Sequence, residues 1–345
     1  MAMVFWGERR MDKDLGCVGK RKAKFLVGIT EPGYADHSVE AEMLSPLGAE
    51  VRIIRWGGDR TRLLEQLKGL DIVMLRDIPV LDAEAIGLLN ENGGIVRYGV
   101  GVDTVDLEAA RRRGIKVANT PDYGAEIEVA DHATALTLAL VRRVVARDAQ
   151  VKSGQWNIAQ KEPIYRIAGS TLGLFGFGKI ARAYLERMRG FGIDEVLVYD
   201  PFIADEFAVQ FKVKRASFDD ICRHAQIISL HAPATPETRH IVNASTLALM
   251  NERTCLINTA RGALVDIHAL AETLKAGKIF GAALDVLDRE PIDAACPLRK
   301  LNNVILTDHT AWYSESSVRT IQKKAAQAAY EMLTTGTPAS WVNKW

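Results

Sequence analysis

Short apolar runs alternate with stretches of helical periodicity throughout the first part of the chain. Strands separated by helices of this length are typical of βαβ units, which build a parallel sheet. The apolar runs that we predict as strands of this first sheet are residues 25–29, 51–54, 72–75, 95–98 and 115–118.

The same alternation begins again after a turn at Ser153-Gly154. This second part of the chain contains six predicted strands, which is about the number in a dinucleotide-binding sheet. We therefore predict an α/β protein with two doubly wound parallel sheets of the Rossmann or flavodoxin-like type. The predicted strands of the second sheet are residues 171–176, 195–199, 226–230, 254–258, 281–286 and 304–307.

Two long helical segments suggest how the domains are connected. Residues 122–150 predict one helix that begins behind Pro121 and Asp122, and residues 314–333 predict another. The second segment has no further strand of its own sheet to serve, so we expect it to return to the first domain. This predicts a discontinuous substrate domain (1–122 and 314–345) around an inserted cofactor domain (123–313), with the ligand site in the cleft between them. Residues 1–23 are predicted to be a flexible extension.

Composition narrows the class of protein. A chain of 345 residues is long for a single core, which favours two domains. The net charge of +1 provides no field for nucleic acid or an anionic membrane, and no apolar stretch reaches the ~18 residues that span a bilayer. The four cysteines are far apart without a Cys-x-x-Cys pair, so we expect neither a metal site nor disulfides, and a cytoplasmic location.

A glycine-rich turn predicts the cofactor site. Gly176-x-Gly178-x-x-Ala181 follows a strand and opens a helix, whose amino end favours a pyrophosphate. The motif alone is weak, but a second strand ends in an acid, Asp200, about twenty residues further on, where it can accept the ribose hydroxyls. No arginine follows Asp200, so NAD(H) is favoured over NADP(H). The residues of the turn that we assign to the cofactor are Gly176, Phe177, Gly178, Lys179 and Ile180.

Three polar residues each follow an apolar run of the second sheet. Arg261 offers a planar fork for a carboxylate and a carbonyl oxygen, and His309 is a natural proton donor near neutral pH. Glu290 would hold the imidazole in its protonated form. Taken singly, each residue is more often structural than catalytic. Because carboxyl ends of parallel strands lie at one edge of a sheet, their ordered combination predicts a hydride-transfer site for 2-keto acids.

The chain resembles the D-2-hydroxyacid dehydrogenase family over nearly its whole length. The residues that carry the resemblance are the glycine turn and the segments 258–266 around Arg261, 285–291 around Glu290 and 308–312 around His309. Asp308 departs from the family, which usually has proline before the histidine. The resemblance implies interconversion of a 2-keto acid and a D-2-hydroxy acid with NADH, and a homodimer.

The resemblance also assigns further residues. The backbone amides of Val100 and Gly101 would meet the substrate carboxylate, and Trp312 would wall the substrate pocket, as in the C-terminal-binding-protein branch. Trp312 favours a keto acid with an extended apolar side chain. The additional cofactor contacts that the resemblance implies are His231, Pro233, Thr238, Thr259, Ala260, Arg261, Asp285 and His309, with Asp285 as the partner of the carboxamide.

Several alternatives stay open on the sequence. Arg76 either touches the distal end of the substrate or forms a local ion pair with Asp77, and Tyr123 either reaches the pocket or packs in the core. We interpret Arg97 as a structural paired cation and His132 as a hydrogen-bonded core histidine. The alternative function is an NADH-sensing interaction protein of the C-terminal-binding-protein type, in which catalysis is vestigial.

Overall fold

The computed structural model describes residues 24–31, 33–156 and 162–345, so the predicted extension 1–23 lies outside the described residues. By its contacts the chain divides into one unit of Met1–Pro121 with Gln322–Trp345 and a second unit of Asp122–Ile321. The sequence predicted the two boundaries between the domains at 122/123 and 313/314. The first lies within one residue of the observed division, whereas the observed second division lies between Ile321 and Gln322, within the last helix. Each unit contains one parallel sheet.

The first unit is built on a five-stranded sheet in the order β2-β1-β3-β4-β5, with every pair parallel. Strand β3 is buried at every position, as expected where helices cover both faces of a parallel sheet. The strands are β1 (Phe25–Thr30), β2 (Ala49–Ile54), β3 (Ile72–Leu75), β4 (Gly94–Arg97) and β5 (Lys116–Ala118). The helices are α1 (Ser38–Leu44), α2 (Arg60–Leu67), α3 (Ala83–Ile86) and α4 (Leu107–Arg112).

The end of the chain completes this first unit. Trp341 forms an antiparallel bridge with Ala118 at the edge strand β5. The Asn343 side chain accepts a hydrogen bond from the Val117 amide at 2.8 Å and donates one to the Ile115 carbonyl at 3.0 Å. Since these contacts join residues more than two hundred positions apart, the first unit is discontinuous in sequence.

The second unit contains a seven-stranded parallel sheet in the order β12-β11-β10-β9-β6-β7-β8. Its chain order reverses between β9 and β6, which is where open α/β sheets bind ligands, beyond the carboxyl ends of the strands. The strands are β6 (Thr171–Phe175), β7 (Glu195–Tyr199), β8 (Lys214–Arg215), β9 (Ile227–Leu230), β10 (Cys255–Asn258), β11 (Gly281–Leu284) and β12 (Val304–Leu306). The two parallel sheets confirm the predicted fold class.

The helices of the second unit differ in one place from the expectation. The helix predicted over 122–150 is two helices, because Arg143 between them has a left-handed backbone with φ 54°. Its Nε donates to the Pro163 carbonyl at 3.0 Å, and its guanidinium lies 4.3 Å from the Phe280 ring centre. The helices are α5 (Ala125–Val141), α6 (Val144–Lys152), α7 (Lys179–Arg189), α8 (Asp205–Gln210), α9 (Phe218–His224), α10 (Ala244–Leu247), α11 (Ile267–Lys275) and α12 (Glu315–Thr334), of which α12 continues into the first unit.

Strand β8 was not predicted. It consists of Lys214 and Arg215, both exposed, and pairs with β7 at the edge of the sheet. Two exposed charged residues carry no apolar signal for a strand, so only the neighbouring strand shows that they are one.

Candidate active site

The glycine-rich turn joins β6 to α7 at the point where the strand order reverses. Gly176 has φ 88°, and a Cβ atom there would lie 2.9 Å from the backbone of His231, so the position requires glycine. A Cβ at Gly178 would meet no atom within 4 Å, which means that space is open in front of the helix amino end. Ala181 is fully buried against the sheet. The turn therefore has the open space and the exposed helix amides that a pyrophosphate requires.

Asp200 follows β7 and is held in place by backbone amides. Its Oδ2 accepts a hydrogen bond from the Phe177 amide at 2.7 Å, and its Oδ1 accepts one from the Phe202 amide at 2.8 Å. The carboxylate thus connects the glycine turn to the loop after β7. These two hydrogen bonds orient the carboxylate, which lowers the entropic cost of ordering it when a ligand binds.

His231 follows β9 and is not suited to proton transfer. Its Nε2 lies 2.9 Å from Ser229 Oγ, and the Tyr184 ring packs against the imidazole at 5.3 Å between ring centres. Burial lowers the pKa of His231 to about 3, because it penalises the charged form. The ring is therefore neutral near pH 7. In the same loop, Thr238 Oγ1 donates to the Pro233 carbonyl at 2.8 Å.

Glu290 and His309 form a direct pair. Glu290 Oε2 lies 2.7 Å from His309 Nδ1, and Glu290 Oε1 accepts a hydrogen bond from the Leu287 amide at 2.9 Å. Both side chains are about one third exposed, so the pair adds at most ~1 kcal/mol to folding stability. Its consequence is orientation: the carboxylate fixes the imidazole ring and bonds one of its two nitrogens.

Arg261 lies on the loop after β10, and this loop touches the segment that carries Glu290. Asn258 holds the loop, since its Nδ2 donates to the Arg261 carbonyl at 2.9 Å and its Oδ1 accepts from the Ala260 amide at 3.0 Å. A Cβ atom at Gly262 would lie only 1.9 Å from the carbonyl carbon of Leu287. Glycine at 262 therefore lets the arginine loop and the glutamate segment pack backbone against backbone.

Asp285 organises the loop that carries His309. Its buried carboxylate accepts hydrogen bonds from Thr307 Oγ1 at 2.6 Å and from the amides of Thr310 and Ala311 at 3.0 Å each. The His309 amide donates to the Asp285 carbonyl at 2.8 Å. The sequence assigned Asp285 only to the cofactor carboxamide. Its hydrogen bonds show that it also holds the His309 amide, the Thr307 side chain before it and the two amides after it.

Comparison with known proteins agrees with this geometry. Residues 134–311 match the protein family described as D-isomer specific 2-hydroxyacid dehydrogenase, NAD binding domain. The chain belongs to this family. Its cofactor is accordingly NAD, as predicted.

Individual relatives differ in their activities. The chain is 36% identical over 306 residues to the D-3-phosphoglycerate dehydrogenase of Methanocaldococcus jannaschii. The aligned residues are 88% of this chain and 56% of that protein. It is 37% identical over 252 residues to the glyoxylate reductase of Korarchaeum cryptofilum, covering 72% and 75% of the two chains. The chain spans about half the length of the phosphoglycerate dehydrogenases that it matches.

A solved structure supports the fold. The D-lactate dehydrogenase from Aquifex aeolicus, complexed with NAD and lactic acid, is similar with a TM-score of 0.81 and 26% identity, covering 92% of this chain and 99% of that chain. The likeness to the C-terminal-binding-protein branch is not specifically supported by these relatives.

The residues present fit a dinucleotide. Besides the open turn at Gly178, Thr259 Oγ1 is buried and has no hydrogen-bond partner among the residues that the structure describes. Thr259 lies on the stretch that the sequence assigned to the nicotinamide, next to Ala260. A buried hydroxyl without a partner costs about 1–3 kcal/mol, which a polar group of a bound ligand would relieve. The site is thus consistent with the cofactor of the family.

The other predicted substrate residues lie in the first unit, apart from Trp312. Val100 is half exposed, and the Asn119 side chain donates to its carbonyl at 2.8 Å, next to Gly101. Arg76 lies over the Tyr34 ring at 5.6 Å. In the second unit, Trp312 makes an edge contact with the Tyr313 ring at 5.7 Å. Tyr123 is buried.

Some contacts of the site were not predicted from the sequence. His132 Nε2 lies 3.1 Å from Thr307 Oγ1 and 3.5 Å from Asp285 Oδ1, so this histidine is hydrogen-bonded, as expected, but to the loop of His309. Asp288, beside Glu290, pairs with Arg239 at 3.3 Å. No spacing along the chain signals either contact.

Two features are absent from the residues that the structure describes. In the described part of the chain, no group of three or more His, Cys, Asp or Glu side chains could hold a metal ion. Within those same ranges, no helix combines the length and the apolar character needed to cross a bilayer.

Proposed function

We propose that the protein reduces a 2-keto acid to a D-2-hydroxy acid at the expense of NADH. The observation that carries the proposal is the Glu290–His309 pair, 2.7 Å apart, in an NAD-binding domain whose arginine loop packs against the glutamate segment. The compounds in the names of the relatives, lactate, glyoxylate and phosphoglycerate, share a carboxylate whose neighbouring carbon carries either a hydroxyl or a carbonyl oxygen.

In the proposed reaction each side chain has one task. Arg261 binds the substrate carboxylate and polarises the carbonyl oxygen. Bound NADH supplies the hydride that adds to the carbonyl carbon. His309 donates a proton to the carbonyl oxygen; because its Nδ1 is bonded to Glu290, we assign this donation to Nε2. Glu290 orients the ring and stabilises its charged form. The products are the hydroxy acid and NAD⁺.

The substrate contacts complete the proposal. The amides of Val100 and Gly101 bind the carboxylate, Arg76 faces the distal end of the substrate, and Trp312 lines the pocket beside an extended apolar side chain.

Kinetics with keto acids of graded side-chain length test the role of Trp312. We expect kcat/KM to rise with chain length and the rise to disappear in Trp312→Ala; a preference for the smallest acid would contradict this role. A homodimer and a cytoplasmic location remain predictions.

Replacement of His309 by Gln tests the proposed proton donor. General acid catalysis contributes about 10²- to 10⁴-fold, so we expect kcat to fall by this factor. The dissociation constant of NADH, measured by fluorescence, should change far less. His268→Gln is a matched control, because His268 is exposed on α11. Equal losses of turnover and of NADH binding would argue against the acid role. In the wild-type protein, by contrast, intact NADH binding without turnover of any 2-keto acid would favour the interaction-protein alternative.

A further inference from the structure

His132 lies on α5 and contacts the loop that carries His309. Its Nε2 is 3.1 Å from Thr307 Oγ1 and 3.5 Å from Asp285 Oδ1. Asp285 follows β11 and Thr307 follows β12, and the last residues of these two strands are in register. Helix α5 therefore reaches the carboxyl ends of both strands from which the proposed proton donor is held.

The hydrogen bonds between these side chains have a defined direction. Thr307 Oγ1 carries a single proton, and it donates this proton to Asp285 Oδ1 at 2.6 Å. Toward His132 the hydroxyl can then only accept, so Nε2 of His132 is a protonated nitrogen that donates to it. A side chain at position 132 must supply such a donor to complete the series from α5 through Thr307 to the buried carboxylate of Asp285.

The His309 backbone needs support from its surroundings. Its φ is 56°, in the left-handed region that residues other than glycine seldom adopt. Such a conformation persists only where neighbouring contacts impose it. Asp285 provides these contacts, since its carbonyl accepts from the His309 amide at 2.8 Å and its carboxylate accepts from the amides of Thr310 and Ala311 at 3.0 Å each. A rotation of this carboxylate would release the backbone that follows His309.

We propose that His132 is a positioning residue for the reduction: by donating to Thr307 Oγ1 it fixes the Asp285 carboxylate, and through it the backbone that holds the His309 imidazole beside Glu290. The inference rests on the proposed function and adds a residue of α5 to it. The sequence predicted His132 to be a hydrogen-bonded core histidine, and the inference gives those hydrogen bonds a consequence for turnover.

Steady-state kinetics of His132→Leu and His132→Gln test the inference, together with denaturant unfolding of the same samples. Leucine has no donor, so we expect kcat with the best 2-keto acid to fall on the order of tenfold, which corresponds to about 1.4 kcal/mol in the barrier. The side-chain amide of glutamine can donate to Thr307 and should restore most of kcat. Wild-type kcat in folded His132→Leu, or equal losses in the two variants, would overturn the inference.

A double-variant cycle separates positioning from a general loss of stability. Thr307→Val removes the hydroxyl between His132 and Asp285 and should lower kcat by a factor similar to that of His132→Leu. Because both residues act through the same hydrogen bonds, we expect kcat of the double variant to be close to that of the slower single variant. Losses that multiply in the double variant would show that the two residues act independently, and the inference would fail.

Asp131→Ala is the control on the same helix. Asp131 precedes His132 and pairs instead with Arg187 on α7. Its kcat should equal that of the wild type, and a loss as large as that of His132→Leu would attribute the effect to α5 as a whole and refute a specific role of His132. If the wild type reduces no 2-keto acid, the proposed function fails; if it does and kcat does not respond to His132, only the present inference fails. Should His132→Leu not fold, the comparison of Thr307→Val with His132→Gln still decides.

Discussion

The close contact between Gly262 and the glutamate segment makes Gly262→Ala an informative perturbation. The new Cβ would lie 1.9 Å from the Leu287 carbonyl carbon, 2.2 Å from its oxygen and 2.3 Å from the Asp288 amide nitrogen. A Cβ atom does not approach non-bonded heavy atoms closer than 3.0 Å. The backbone at residue 262 or the backbone at Leu287 must therefore move away by about 1 Å. The Leu287 amide is bonded to Glu290, and hence the displacement reaches the carboxylate that orients His309.

The size of the effect follows from this displacement. A misplacement of about 1 Å in a catalytic arrangement costs on the order of 10²-fold in rate. We therefore expect kcat of Gly262→Ala to fall about 100-fold. Overpacking should lower the free energy of unfolding by about 1–3 kcal/mol, which leaves a two-domain protein of this size folded at 25 °C.

The assay is NADH oxidation with the best 2-keto acid, combined with denaturant unfolding of the same samples. Gly190→Ala is the matched control, because the nearest atom to its Cβ is the Arg187 carbonyl oxygen at 3.4 Å and its φ of −60° suits alanine. Its kcat should equal that of the wild type. Wild-type kcat in folded Gly262→Ala would refute the reasoning, and equal losses in the two variants would attribute the effect to stability alone.

Two further predictions concern histidines. His132→Leu removes the bond to Thr307 and should lower the free energy of unfolding by about 1 kcal/mol, with partial recovery in His132→Gln; an unchanged value would contradict this. The pKa of His231 is about 3 in the folded protein, whereas it is ordinarily 6.5. As the pH drops below about 6.5, the unfolded chain therefore binds a proton at this histidine that the folded protein does not. The free energy of unfolding then falls by up to ~1.4 kcal/mol per pH unit. In His231→Gln, denaturant unfolding should show a shallower fall between pH 6.5 and 5; parallel curves would contradict it.

The parts of the fold that the sequence predicted are those with a local signal. The strand at 72–75 was recognisable because all four of its residues are apolar, and the structure buries all of them. The glycine turn was recognisable because a tight strand-to-helix connection around a ligand tolerates few residue types. The strand order could not be predicted in this way, since adjacent apolar runs do not specify which strands become neighbours.

The candidate site shows the same distinction. Glu290 and His309 were singled out by their segments and by the resemblance to a family, and the structure brings them into contact although they are nineteen positions apart in the chain. The sequence left open whether Asp77 pairs with Arg76, its neighbour; the structure pairs it with Arg97 on the adjacent strand. Side chains at the carboxyl ends of neighbouring strands meet whatever their separation along the chain.

The sequence by itself determined the two α/β sheets, the cofactor turn and the identity of the catalytic candidates, because apolar periodicity, glycine requirements and side-chain chemistry are properties of single segments. Only the tertiary structure decided where the helix after β5 breaks, what Asp285 holds, and why residue 262 must be glycine. Each of these depends on atoms from another segment: the Arg143 contacts, the loop of His309 and the backbone of Leu287. Such contacts depend on how the segments pack, which no single stretch of residues contains.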